Sequence, residues 1–263
     1  PMCWARWPAR RVRLLGRRSS RGVRLRSVLV RLQRGWPWAR LAVAVLLLAA
    51  LAAQLRASVT LALDQGRDLG LTVVNFFSFF TVLSNLGAAA VLAHLAWASV
   101  RRSGPVTRAE GIALACVTTA MLVTGVVYNL LLRSIELPQG TTVPWSNEVL
   151  HVVGPLFMLV DLLVAPGVRR LAWTALGWVL AFPLAWTAYT LIRGPLAINP
   201  VTGSPPWYPY PFLNPQVSGG WLGVLGYVAG IAVAFAALGA DVIAVTRRRD
   251  RRVEDLAVVG DGS

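Results

Sequence analysis

The sequence predicts an all-α polytopic membrane bundle of six transmembrane helices, and three observations predict it. Of the 263 residues, 56% are hydrophobic and 14% charged, with a mean hydropathy of +0.59, outside the range of soluble domains. Windows of about 20 largely apolar residues, enough to cross about 30 Å of hydrocarbon, occur at 41–60, 73–98, 111–132, 147–165, 171–192 and 220–245. The arginines alternate along the chain. Twelve of the 26 precede Leu41, and Arg101, Arg102, Arg108, Arg169, Arg170 and the run from Arg247 to Arg252 follow alternate windows, whereas the other loops hold only Arg67, Arg133 and Arg193. The positive-inside rule then places both termini in the cytoplasm and the loops at 61–72, 133–146 and 193–219 outside.

Read in order, the segments divide into an arm at 1–40, a six-helix domain at 41–246 and a cytoplasmic tail at 247–263. The arm is basic and begins PMCWARWPARR without Met at position 1, so it is expected to be disordered and to include a mis-assigned start. The first window has the form of a signal-peptide core as well; Arg56 beside the cleavage point and the long arm ahead of it favour a span. The second window contains FFSFFTVLSNL, the third ends in TGVVYNLLLR, and the fourth reads NEVLHVVGPLFMLVDLLVAP. The fifth carries Trp186, Tyr189 and Thr190 at one end. In the sixth, Gly219 with Gly223 and Gly226 with Gly230 have the small-residue spacing of close helix packing. The loop at 193–219 is rich in proline, and its Trp207, Tyr208 and Tyr210 read either as a lid or as an aromatic belt at headgroup level.

A net charge of +15 would suggest nucleic acid in a soluble protein, but arginines that flank spans are already explained, and no nucleic-acid partner is expected. All the basic residues are Arg and none is Lys, a bias of genomes rich in G and C, which points to a bacterial plasma membrane. Cys3 and Cys116 cannot build a disulfide framework or a metal cluster, and no cofactor motif is present. The nucleophile elbow, the paired-histidine zinc motif and phosphate-binding loops are all missing. Neither an internal repeat nor a pair of broken helices in matching halves supports a transporter.

Chemistry must therefore come from polar side chains within the spans, which are costly in hydrocarbon and usually face the bundle interior. On one continuous helix, Asn75, Ser78, Thr81 and Asn85 form a single stripe, with Ser84 at its edge. The stripe reads either as interhelical hydrogen bonding or as part of a site. In the fourth window, Asn147, Glu148 and His151 share a face, and helical rise puts His151 within about 3 Å of the depth of Thr81. A hydroxyl beside an imidazole is the minimum apparatus of acyl transfer, because a neutral Thr attacks only when a base takes its proton. Glu148 is a candidate to orient the ring; Arg56 either pairs with Glu148, supports an oxyanion or snorkels outward. Tyr128, Asn129, Trp186, Tyr189 and Thr190 lie at the same level and outline a pocket. Asp161 lies too deep to touch His151, and His94 reads as structural or interfacial.

FFSFFTVLSNL, TGVVYNLLLR, LHVVGPLFMLVDLLV and WYPYPFLN together resemble the prokaryotic six-transmembrane Pr6Pr family, over residues 41 to 250. That family is similar in turn to the eukaryotic androgen-induced and androgen-dependent (FAR-17a/AIG-like) membrane proteins, intramembrane threonine hydrolases of fatty acid esters of hydroxy fatty acids. The resemblance implies Thr81 as nucleophile and His151 as its partner. It departs from the eukaryotic pattern at Ser84 and Asn85, where those relatives carry an acidic residue. The expectation is a lipid-ester hydrolase that takes an acyl ester from the outer leaflet, with membrane lipids as its partners and no metal or cofactor. The alternatives are a non-enzymatic lipid-binding or assembly protein of the envelope and a small-solute transporter.

Overall fold

A computed structural model describes the backbone of residues 20–101, 106–135, 141–167 and 169–261, with side chains over the part of these ranges from 35 to 249. Among the described residues all regular structure is helical, and six helices are long and apolar enough to cross a membrane: Gly35–Asp64, Phe80–Arg101, Arg108–Leu132, Pro144–Val164, Ala175–Arg193 and Gly220–Arg249. These features describe a multi-pass membrane protein. The first of these spans is the later part of α1 (Ser20–Asp64). Residues 1–19 of the expected arm lie outside the described residues. At the other terminus α8 (Gly220–Asp261) continues through most of the expected tail.

The second window is not one helix. It divides into α2 (Leu69–Phe76) and α3 (Phe80–Arg101), joined by two tight turns in which Ser78 N donates to Asn75 O at 3.0 Å and Phe79 N to Phe76 O at 3.3 Å. Asp68 caps α2 by accepting from Leu71 N at 2.6 Å, which satisfies one of the orphan donors of a helix start. The expected polar stripe is thereby split: Asn75 ends α2, Ser78 sits in the break, and Thr81 and Asn85 belong to α3. Neither Gly nor Pro marks the break. Tertiary contacts hold it instead, with Trp186 Nε1 donating to Ser78 O at 3.0 Å and Phe79 edge-on to Trp207 and Tyr210.

At the centre is α4 (Arg108–Val127), packed against α3, α6 (Gly154–Val164), α7 (Ala175–Arg193) and α8. It opens with a reciprocal cap, Glu110 N donating to Thr107 Oγ1 at 3.2 Å and Thr107 N to Glu110 Oε2 at 2.7 Å. Glu110 also meets His94 Nε2 at 2.9 Å, so His94 ties α3 to α4. At its far end α4 widens into a π-helical turn, Tyr128–Leu132, and the fourth span has a second one, Val149–Val153, between α5 (Pro144–Glu148) and α6. Such wide turns are rare and often mark functional sites. Here Pro155 gives a local cause, since it has no N–H to offer the His151 carbonyl four residues back.

Arg40 and Asp161 clamp α1 to α6 well away from Thr81. Arg40 Nε and Nη2 reach Asp161 Oδ1 and Oδ2 at 2.7 and 3.0 Å, and Trp36 Nε1 adds a third donor at 2.6 Å. Both charged side chains are buried. In α8, Gly226 and Gly230 meet nothing that a Cβ would touch and line a groove with Val126 and Leu130. The close packing expected of that glycine pair is therefore not made among the described residues.

Candidate functional site

Thr81 is the second residue of α3. Its amide is one of the donors a helix start leaves without an intrahelical acceptor, and Tyr210 Oη accepts it at 3.2 Å. The Thr81 carbonyl takes Asn85 Nδ2 at 2.9 Å and Ser84 Oγ at 3.1 Å. Asn85 Nδ2 also reaches Leu150 O at 3.2 Å, which joins the Thr81 turn to the turn before His151. Ser84 Oγ continues to Thr124 Oγ1 on α4 at 3.1 Å. These bonds fix Thr81 from both sides of its backbone.

Thr81 Oγ1 lies 3.3 Å from His151 Nε2 and 3.1 Å from Tyr210 Oη. His151 Nδ1 lies 2.9 Å from Asn147 O. A carbonyl only accepts, so Nδ1 carries the proton of the neutral ring and Nε2 presents its lone pair to Thr81. With the Thr81 hydroxyl donating to Nε2, the Tyr210 hydroxyl donates to Thr81 Oγ1, and the chain of donors has one direction. Tyr128 stacks on the imidazole, ring centroids 3.9 Å apart and planes 23° from parallel, and accepts from Asn147 Nδ2. The two π-helical turns thus present their rings to each other. Asn129 Nδ2 donates to Gly125 O at 2.8 Å and to the His151 carbonyl at 3.4 Å, the carbonyl that Pro155 leaves free.

The other expected site residues have different places. Glu148 does not reach His151; it pairs with Arg133, which also donates to Asn129 Oδ1. The orienting contact comes from the backbone of Asn147, one residue earlier, because the wide turn brings that carbonyl under Nδ1. Arg56 is exposed on α1 and makes no ion pair among the described residues, which leaves the outward reading. Ser78 Oγ donates to Val74 O at 2.8 Å and meets Tyr189 Oη at 3.2 Å; both residues support the break between α2 and α3 and do not touch Thr81.

Trp207, Tyr208 and Tyr210 correct the expectation for the long loop. All three are buried, at 3%, 4% and 5% exposure, so these rings do not rest at the surface as a belt. They insert into the bundle. A Cβ at Gly194 would sit 2.0 Å from Tyr208 Cε1, so only glycine allows the ring to lie on the end of α7. The ring of Tyr210 is edge-on to Phe79 and parallel to Phe212, centroids 5.6 and 5.2 Å away. Burial raises the Tyr210 phenol above its ordinary pKa and its bonds to Thr81 oppose that rise, so it stays a hydroxyl. The sequence signal for this role was present in the WYPYPF run, but it read as a loop property.

Two cavities meet at Thr81. One also opens on His151 and is lined by Ser58, Asn75, Phe79 and Trp207. The other also touches Tyr210 and is walled by apolar side chains, among them Phe80, Val123, Leu180, Leu184 and Phe235. Among the described residues no group of three or more His, Cys, Asp and Glu could hold a metal ion. Comparisons of the chain with known protein families, curated proteins and solved structures find no match.

Proposed function

We propose that the protein is an intramembrane hydrolase of lipid esters, with Thr81 as nucleophile and His151 as general base. One observation carries the reading: the Nδ1 contact to Asn147 O assigns the ring tautomer, which leaves the basic nitrogen 3.3 Å from a hydroxyl that lines both cavities. In acylation Thr81 Oγ1 attacks the ester carbonyl carbon and its proton passes to His151 Nε2. The tetrahedral intermediate then expels the alcohol, which takes that proton, and an acyl-threonine remains. Water repeats the sequence on the acyl group, with Nε2 as base, and releases the fatty acid. Tyr210 Oη, 3.1 Å from Thr81 Oγ1 and freed as that oxygen forms its new bond, is the candidate donor for the developing oxyanion.

The apolar cavity suits an acyl chain. The resemblance to the Pr6Pr and FAR-17a/AIG-like proteins supports the same pair. The arginine distribution favours a bacterial plasma membrane with both termini cytoplasmic and the Thr81 end toward the outer leaflet. A fluorophosphonate probe applied to the purified protein is expected to label Thr81, with labelling abolished in Thr81→Ala and in His151→Ala. Folded wild-type protein that stays unlabelled would overturn the enzyme and favour a bundle whose polar groups only tie helices together.

A further inference from the structure

Buried polar groups are nearly always hydrogen-bonded, and an orphaned one is costly. Among the described residues Ser58 Oγ, Asn75 Nδ2 and Trp207 Nε1 are buried without a partner, and all three residues line the cavity that opens on Thr81 and His151. They come from α1, α2 and the inserted loop, so three separate elements bring unpaired donors to one space.

Their chemistry is one-sided. Arg193 Nη2 donates to Asn75 Oδ1 at 2.6 Å, which fixes the amide so that Nδ2, a donor only, is the end left over. The same guanidinium lies 5.3 Å from the Trp207 ring centroid; the indole N–H is again donor only. Ser58 adds a hydroxyl proton. The lining includes Arg67 and no carboxylate. Such a site favours an acceptor with several lone pairs and negative charge, and it has no carboxylate to attract a cation.

We propose that this cavity binds an oxyanionic headgroup, a carboxylate or a phosphate, through Trp207 Nε1, Asn75 Nδ2 and Ser58 Oγ. The hydrocarbon of the same molecule passes Thr81 into the apolar cavity beyond. The choice of an amphiphile rests on the hydrolase reading. The ligand of this site is thus an anionic lipid, bound with its charged end on the α1 and α2 side of the reacting hydroxyl.

The test is equilibrium binding to the full chain carrying Thr81→Ala, in maltoside micelles, with dodecyl phosphate, laurate and 1-dodecanol as probes. Because this variant cannot turn over, its binding reports on the headgroup site alone, and fluorophosphonate labelling of the wild type reports separately on the hydrolase. At least one anionic probe is expected to bind roughly tenfold or more tightly than dodecanol, and the better of the two identifies phosphate or carboxylate. Adding Trp207→Phe, which keeps a ring but loses the donor, or Asn75→Asp, which keeps the acceptor for Arg193 but loses Nδ2, is expected to reduce that preference about fivefold to tenfold. Ser58→Ala provides a third, smaller change on a different helix. Equal binding of the three probes would overturn the proposal, as would a preference that survives all three substitutions in folded protein; either result would mean that water alone satisfies these donors.

Discussion

Tyr210 holds its hydroxyl 3.1 Å from Thr81 Oγ1 while accepting the Thr81 amide at 3.2 Å, so one phenol closes the open start of α3 and touches the candidate nucleophile. Tyr210→Phe separates these effects from the packing of the ring. Loss of the donor is expected to slow fluorophosphonate labelling of Thr81 roughly 100-fold. Loss of the acceptor leaves the Thr81 amide unpaired and is expected to cost about 1–3 kcal/mol of stability. Labelling at the wild-type rate, in protein whose thermal melt is shifted, would confine Tyr210 to a structural role.

Burial gives Tyr210 a second signature. Its folded-state pKa is raised, chiefly by desolvation, so the unfolded chain loses the phenolic proton first as pH rises. Stability from this group is complete below the ordinary tyrosine pKa of about 10 and is lost as pH climbs through the folded value. The melting temperature of the wild type is therefore expected to fall as pH rises above about 10, and that of Tyr210→Phe to fall less. Parallel curves for the two proteins would contradict the assignment.

The parts of this architecture that depend on composition were legible in the sequence, and the parts that depend on distant partners were not. Six apolar windows follow from composition and length alone; the depth match of Thr81 with His151 assumes a continuous second helix, and the 3.3 Å contact is made although that helix is broken. The break at Phe77–Phe79 has no Gly or Pro to announce it, because Trp186 and the inserted loop hold it from outside. The stripe of Asn75, Ser78, Thr81 and Asn85 assumed a continuous helix and dissolved with it. Glu148 seemed the natural orienter at i−3, yet the π-helical turn that follows it redirects the ring to a backbone carbonyl. Pro155 stands in the sequence as a missing N–H, but its consequence, a free His151 carbonyl that Asn129 answers, needs the neighbouring helix.

That reassignment makes a prediction about Glu148. The carboxylate and its partner Arg133 are each about half exposed, and exposed pairs contribute about 0–1 kcal/mol. Glu148→Gln is accordingly expected to leave both the labelling rate and the melt within about threefold and about 1 kcal/mol of wild type. A drop as large as that of His151→Ala would restore Glu148 to the catalytic machinery and displace the Asn147 carbonyl as the orienting group.

Far from Thr81, the Arg40–Asp161 clamp tests how the bundle holds α1 in place. Asp161 is fully buried and accepts two bonds from Arg40 and one from Trp36, and removal of one partner of a buried pair strands the other. Asp161→Leu or Arg40→Met alone is expected to cost about 3–5 kcal/mol, whereas the double variant recovers much of that loss because apolar replacements of a buried pair are often neutral. Trp36 keeps an unpaired N–H in the double variant, so recovery should be incomplete, short by roughly 1–3 kcal/mol. Thermal melts of the four proteins in detergent measure the coupling directly. Additive losses would mean that the two charges are solvated separately and that α1 is anchored by its apolar contacts with α3 instead.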